Sequence, residues 1–198
     1  MAACLTSSIG STDEIVRVMG ECAIAGVPVL PPDINESQRT FAASRQAIRF
    51  GLAAVRGVGD AAAQAILEER GKRPFTSFTD FLFRIDARLV NRRAVEALVH
   101  AGAFDSFGRH RRSLVEAYEE VSARAARRRQ DRENGQSDLF GASTGEGPAE
   151  DDFADAAPYG LEEKLSLEKE SLGFYVTGHP LAKFAEEVER FAETKVDR

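Results

Sequence analysis

The chain has 198 residues, 43% of them hydrophobic, with 13 phenylalanines, no tryptophan and a formal charge of −6. That suffices for one large domain or two small ones with a modest core. No run approaches the ~18 apolar residues of a membrane helix, and residues 1–16 lack a basic stretch ahead of an apolar one, so membrane and secretory readings are set aside. Cys4 and Cys22 have no Cys or His close by and read as two buried thiols of a reducing compartment. The net charge hides a partition: residues 1–44 carry −3, residues 45–112 carry +6 and residues 113–198 carry −9. All bases of the middle segment except Lys72 are arginine, whose planar fork suits phosphate; a solvated face is the plainer alternative.

In chain order, Ser11 and Glu14 form a capping-box pattern ahead of Ile15, Val18, Met19 and Cys22, which share one face of an amphipathic helix. Gly26 is placed to end that helix, and residues 27–30 read as a short extended segment stopped by Pro31 and Pro32. Residues 41–50 are ambiguous: Ala47 to Leu52 could be a strand or the start of a helix. Three short helical segments follow, broken at residues 57–59, at residues 71–74 and at Gly102.

Residues 113–129 predict a helix with Leu114, Tyr118, Val121 and Ala125 on one face, and with Arg127, Arg128 and Arg129 complementing the negative end of its dipole. Residues 131–160, rich in Gly, Asp, Glu, Ala and Ser, read as a flexible acidic linker in which Asp151 and Asp152 are a solvated charge run. The charge of the acidic tether and tail is expected to keep that segment extended and away from any polyanion on the basic body. Leu181, Phe184, Ala185, Val188 and Phe191 form a closing helical stripe.

The most informative pattern runs from Leu52 to Leu67: a short helix, a Gly-x-Gly turn and a second helix of small residues. Gly57 and Gly59 permit positive φ and close approach of a phosphate. Val58 can plug the turn into the core, and the amides of Gly59, Asp60 and Ala61 open the second helix as an anion site beside Arg56. A helix–helix corner is the alternative. The spacing is neither a dinucleotide fingerprint nor a P-loop. A weaker copy, with Val95, Leu98 and Val99 ahead of Gly102, is flanked by Arg92, Arg93, Arg109, Arg111 and Arg112. The pair resembles a tandem helix-hairpin-helix unit, which contacts phosphates of both strands of duplex DNA and reads the backbone, not the bases.

Four separated motifs occur in order: Leu30-Pro31-Pro32-Asp33-Ile34-Asn35-Glu36-Ser37, then Ile48-Arg49-Phe50-Gly51-Leu52, then Ala101-Gly102-Ala103-Phe104-Asp105, and Glu168-Lys169-Glu170-Ser171-Leu172-Gly173-Phe174-Tyr175 with Gly178-His179-Pro180-Leu181. They resemble the alpha subunits of the C-family bacterial replicative DNA polymerases. The resemblance implies a mainly α fold with a small mixed α/β segment over residues 1–45 that ends a fingers domain. It implies a tandem helix-hairpin-helix DNA-binding body over 46–112, a basic helix over 113–130, a disordered linker over 131–160 and a helical approach to an OB-fold over 161–198. Met1 then falls inside a longer chain.

Gln136, Ser137, Asp138, Leu139 and Phe140 resemble that family's internal sliding-clamp-binding pentapeptide, two apolar side chains offered on a polar tether. Further implied are double-stranded DNA, the clamp and, through a region beyond this chain, other replicase subunits as partners, in the cytoplasm. Nucleotidyl transfer and its Mg2+ belong to a palm domain outside this chain. The expected catalytic set here is empty, since His100, His110 and His179 lack metal-ligand spacing and no Ser/His/Asp or Cys/His arrangement is apparent. The rival readings are a stand-alone helix-hairpin-helix protein of repair or recombination and a nuclease or ligase piece that uses the hairpins for delivery.

Overall fold

Ile15, Val18 and Cys22 are buried and Met19 is half-buried, so the first apolar stripe lies against the core as its spacing predicts. The computed structural model describes residues 1–8, 12–44, 46–133 and 150–178. Among them are helices α1 (Ala2–Ser7), α2 (Thr12–Ile24), α3 (Asp60–Lys72), α4 (Phe78–Arg84), α5 (Arg92–Ala101), α6 (Arg111–Glu133) and α7 (Leu161–Leu172). Three short strands accompany them: β1 (Val29–Leu30), β2 (Ala42–Ser44) and β3 (Ala47–Arg49). The architecture is mainly α with a small mixed sheet. Ser11, the expected cap of α2, lies outside the described residues, as do the clamp-like pentapeptide, His179 and the stripe from Leu181 to Phe191. Helix α1 was not anticipated, and on it Cys4 is exposed; only Cys22 is a buried thiol.

Gly26 ends α2 with φ +67°, while the Val27 and Gly26 amides return to the Cys22 and Ala23 carbonyls. This paired closure satisfies the last carbonyls of the helix and turns the chain into β1. The sheet order is β1-β3-β2, with β3 parallel to β1 and antiparallel to β2. Within the ambiguous stretch residues 42–44 and 47–49 are strand and Leu52 opens a 3-10 turn, and the sheet joins the first 45 residues to the body. The chain from Leu30 to Ser37 then works as a knot. The Asn35 side chain donates to the Phe75 carbonyl and accepts from the Phe75 amide, at 2.8 and 2.9 Å. Ser37 accepts from the Asp33 amide and donates to the Phe50 carbonyl, and the Ile34 amide reaches the Ala103 carbonyl at 2.8 Å.

The core is phenylalanine-rich. Phe75, Phe78, Phe81 and Phe104 meet edge to face with centroids 5.0–5.1 Å apart, the geometry that aligns ring edges with ring faces. Helix α4 sits in this cluster, with Ser77 accepting from the Asp80 amide as its N-cap. Two distant segments also grip α4. The Arg129 guanidinium donates to the carbonyls of Leu82 and Ile85 at its C-terminal end. The Asp151 carboxylate accepts from the amide and hydroxyl of Thr79 in its first turn, each at 2.8 Å. Arg129 therefore serves the dipole of α4, while its own helix continues to Glu133.

Two parts of the linker expectation change. Residues 150–160 are placed on the body: Phe153 packs against Phe78, and the Ala156 amide donates to Ser113 Oγ at 2.9 Å. Asp151 is thus a helix-capping acceptor and not a solvated charge. Helix α7 follows and lies along α5, burying Leu165, Glu168, Ser171 and Leu172.

Candidate nucleic-acid interface

The first hairpin is a single 3-10 turn, Leu52–Ala54, then the turn at residues 55–59, then α3. Leu52, Val55 and Val58 are buried, so apolar side chains root the turn from below and leave its backbone facing outward. Gly57 has φ +86°, whereas Gly59 is extended at φ −72°, ψ 162°. Only Gly57 therefore needs glycine for its dihedrals. Gly59 serves through space: nothing lies within 4 Å of where its β-carbon would stand. It is the N-cap of α3 and no side chain caps it, so the amides of Gly59, Asp60 and Ala61 open the helix dipole toward that space. Ala62 and Ala63 are buried and keep α3 close to the core.

A carboxylate at this position repels a phosphate, and the structure neutralises it: Arg39 donates to both oxygens of Asp60 at 2.9 and 3.0 Å. Arg39 had no sequence signal, since it joins the site from 21 residues upstream. Arg56 flanks the turn, its amide donating to the Ser171 carbonyl at 2.8 Å and its guanidinium reaching the Glu170 carbonyl at 3.5 Å. Arg93 is exposed on α5 and comes within 3.9 Å of where a Gly57 β-carbon would stand. A groove of about 370 Å³ is lined by both arginines together with Gly57, Glu96, Ala97, His100, Glu170 and Ser171. Burial holds the His100 pKa below its ordinary value and Arg111 adds to this, against an opposing pull from Glu96 and Glu170. The part played by α7 was not legible in sequence, because it enters from 114 residues away.

The second hairpin differs. Gly102 ends α5 at φ +89°, and its amide and that of Ala103 close onto Val99 and Leu98. The space in front of Gly102 is filled by the Arg111 side chain and the Asp105 carboxylate. Arg111, expected on the basic face, is 5% exposed and donates to Asp105 and to the His100 carbonyl at 2.6 Å each, with Glu168 at 3.6 Å. It is an internal tie. Arg92 is paired with Glu96 and Glu119. Arg109 meets Asp155 at 2.7 Å, and Arg112 meets Glu163 at 3.0 Å. Elsewhere in the body Arg49, Arg73, Arg84 and Arg88 have carboxylate partners too. The +6 body is thus largely cross-linked by acids, its own and those of the acidic flank.

Among the described residues no group of three or more His, Cys, Asp or Glu side chains could hold a metal ion. None of their helices is long and apolar enough to cross a membrane.

Two helical hairpins on one apolar core, the first with an open glycine turn, define a helix-hairpin-helix protein, and a helix-hairpin-helix motif matches residues 26–114. The chain is 34% identical to DNA polymerase III subunit alpha of Haemophilus influenzae over 99% of its length. The corresponding figures are 42% over 93% for Thermus aquaticus and 38% over 95% for Campylobacter jejuni. It spans 15–17% of these curated relatives. The chain belongs to the DNA polymerase III alpha subunit family, of which it represents one segment.

Proposed function

We propose that this chain holds duplex DNA and tethers a replicative polymerase to its sliding clamp, itself carrying no catalytic group. The observation behind the DNA reading is the first turn: uncapped amides at Gly59–Ala61, positive φ at Gly57, and Arg56 and Arg93 on either side. Backbone amides and guanidinium groups recognise phosphate without reading bases, so the grip is independent of sequence. The clamp reading rests on Gln136, Ser137, Asp138, Leu139 and Phe140, which offer two apolar side chains to a hydrophobic pocket and an amide to anchor them. That motif lies between Glu133, at the end of α6, and Asp151, which is fastened to α4. Nucleotidyl transfer, its Mg2+, the other replicase subunits and a cytoplasmic setting belong to this reading through the longer polypeptide.

The test is fluorescence anisotropy with a labelled duplex across a salt series. Affinity falls steeply with salt, and replacing Arg56 and Arg93 by Gln makes the slope shallower by about 1.8, at ~0.9 per phosphate contact. Affinity that stayed flat with salt would overturn the DNA reading. Replacing Leu139 and Phe140 by Ala abolishes clamp capture and leaves duplex binding intact; unchanged capture favours a stand-alone repair protein whose linker is only a linker.

A further inference from the structure

The acidic strap at residues 150–163 sits on the arginine end of the second hairpin. Residues 151–163 contain five acids and no base. Asp155 takes the Arg109 guanidinium at 2.7 Å, and the carbonyls of Asp151 and Phe153 accept from the same group at 2.9 and 3.3 Å. The Arg109 guanidinium also lies over the Phe153 ring, 5.0 Å from its centroid. Arg112 repeats the arrangement: Glu163 holds it at 3.0 Å, and it lies over the Tyr159 ring at 4.7 Å. Each guanidinium thus receives a carboxylate along its fork and an aromatic face on its flat side. These are the groups by which a nucleic acid, with its phosphate and its stacked bases, engages arginine.

We infer that this strap is an intramolecular occupant of a second duplex-binding surface, held in place of the DNA backbone. The inference rests on the duplex-binding reading above. The geometry separates anchor from occupant. The anchors are Asp151 on α4, Phe153 against Phe78 and the Ala156 amide on Ser113. The occupants are Asp155 and Glu163, each about half exposed and each holding an arginine. Freed of these two carboxylates while the anchors remain, Arg109 and Arg112 add two phosphate contacts to a duplex seated on the first hairpin, without unfolding of the strap. The ion pairs at this surface are shallow, and exposed pairs contribute little to stability, so removing the two carboxylates leaves the fold intact.

The test uses the full 198-residue chain and the same duplex. The D155N/E163Q variant binds more tightly at low salt, and its salt slope is steeper by about 1.8 because two more cations reach phosphate. A charge control on α2, D13N/E14Q, produces no comparable gain. R109Q/R112Q added to the D155N/E163Q background erases the gain, a coupling that a general charge effect lacks. Unchanged affinity in D155N/E163Q, an equal gain in the control, or a gain that persists when R109Q/R112Q is added overturns the inference while leaving the first-hairpin reading standing. Absence of duplex binding by wild type and variant alike overturns both.

Discussion

Arg111 and Glu168 face each other at 3.6 Å with side chains 5% and 0% exposed, joining the second hairpin to α7. Glu168 is otherwise saturated: it accepts from the amides of Val176 and Thr177 at 2.6 and 2.8 Å and from the Thr177 hydroxyl at 2.6 Å. This carboxylate organises the turn after α7, while Arg111 closes the space before Gly102. The two functions meet at a buried charge pair, where removing one partner strands the other.

Glu168→Ala therefore destabilises the chain by about 3–5 kcal/mol, the range for breaking a buried pair from one side. Glu168→Gln keeps an acceptor for the two amides and costs less. Urea unfolding of both variants is the measurement; equal midpoints for Ala and wild type would contradict the role.

The two glycines of the first turn separate stability from binding. Gly57→Ala forces φ +86° on a residue with a β-carbon and costs roughly 1–2 kcal/mol. Gly59→Ala meets open space at φ −72° and leaves stability within about 0.5 kcal/mol of wild type. Its methyl stands where a phosphate approaches, so duplex affinity falls. Paired thermal melts and anisotropy titrations distinguish the two effects.

Asp151→Ala removes an acceptor shared by the Thr79 amide and hydroxyl and a negative charge from the start of α4. Loss of such a cap costs about 0.5–2 kcal/mol. The expected signature is a lower unfolding midpoint together with easier proteolysis around residues 150–160, where the strap loses an anchor. Proteolysis unchanged from wild type would place the anchor elsewhere.

His100 makes stability depend on pH. Its pKa in the fold lies below the ordinary 6.5, first because of burial. Between the folded and unfolded pKa values the unfolded chain binds more protons, so stability rises with pH in that window. The contribution is fully present above the unfolded value and is lost as pH falls through it toward the folded one. His100→Gln flattens this part of the stability profile, in the range below pH 6.5; an unaltered slope would assign the dependence to other groups.

Much of the local structure could be read directly. The stripes Ile15, Val18, Cys22 and Leu114, Tyr118, Val121, Ala125 are buried as their 3.6-residue period requires, and Gly26, Gly57 and Gly102 turn the chain at positive φ. Motifs that mark the family prove to be stitching: Asn35 binds Phe75, Ser37 binds Phe50, and Glu168 binds residues 176 and 177. Charge was the poorest guide. Counting arginines identified a basic body, but a count cannot tell a guanidinium facing solvent from one already paired.

What sequence alone determined were the features set by near neighbours: helix faces, breaks, the open Gly57–Gly59 turn and the acid–base partition. These follow from backbone sterics and periodicity within a few residues. Tertiary structure decided where each cation is engaged. Arg111 was drawn inside by Asp105 and Glu168, Arg109 and Arg112 meet Asp155 and Glu163, and Arg56 and Arg93 line the groove beside the first turn. The reason is range: a salt bridge is chosen by through-space distance and burial, and partners such as Arg109 and Asp155 stand 46 residues apart along the chain.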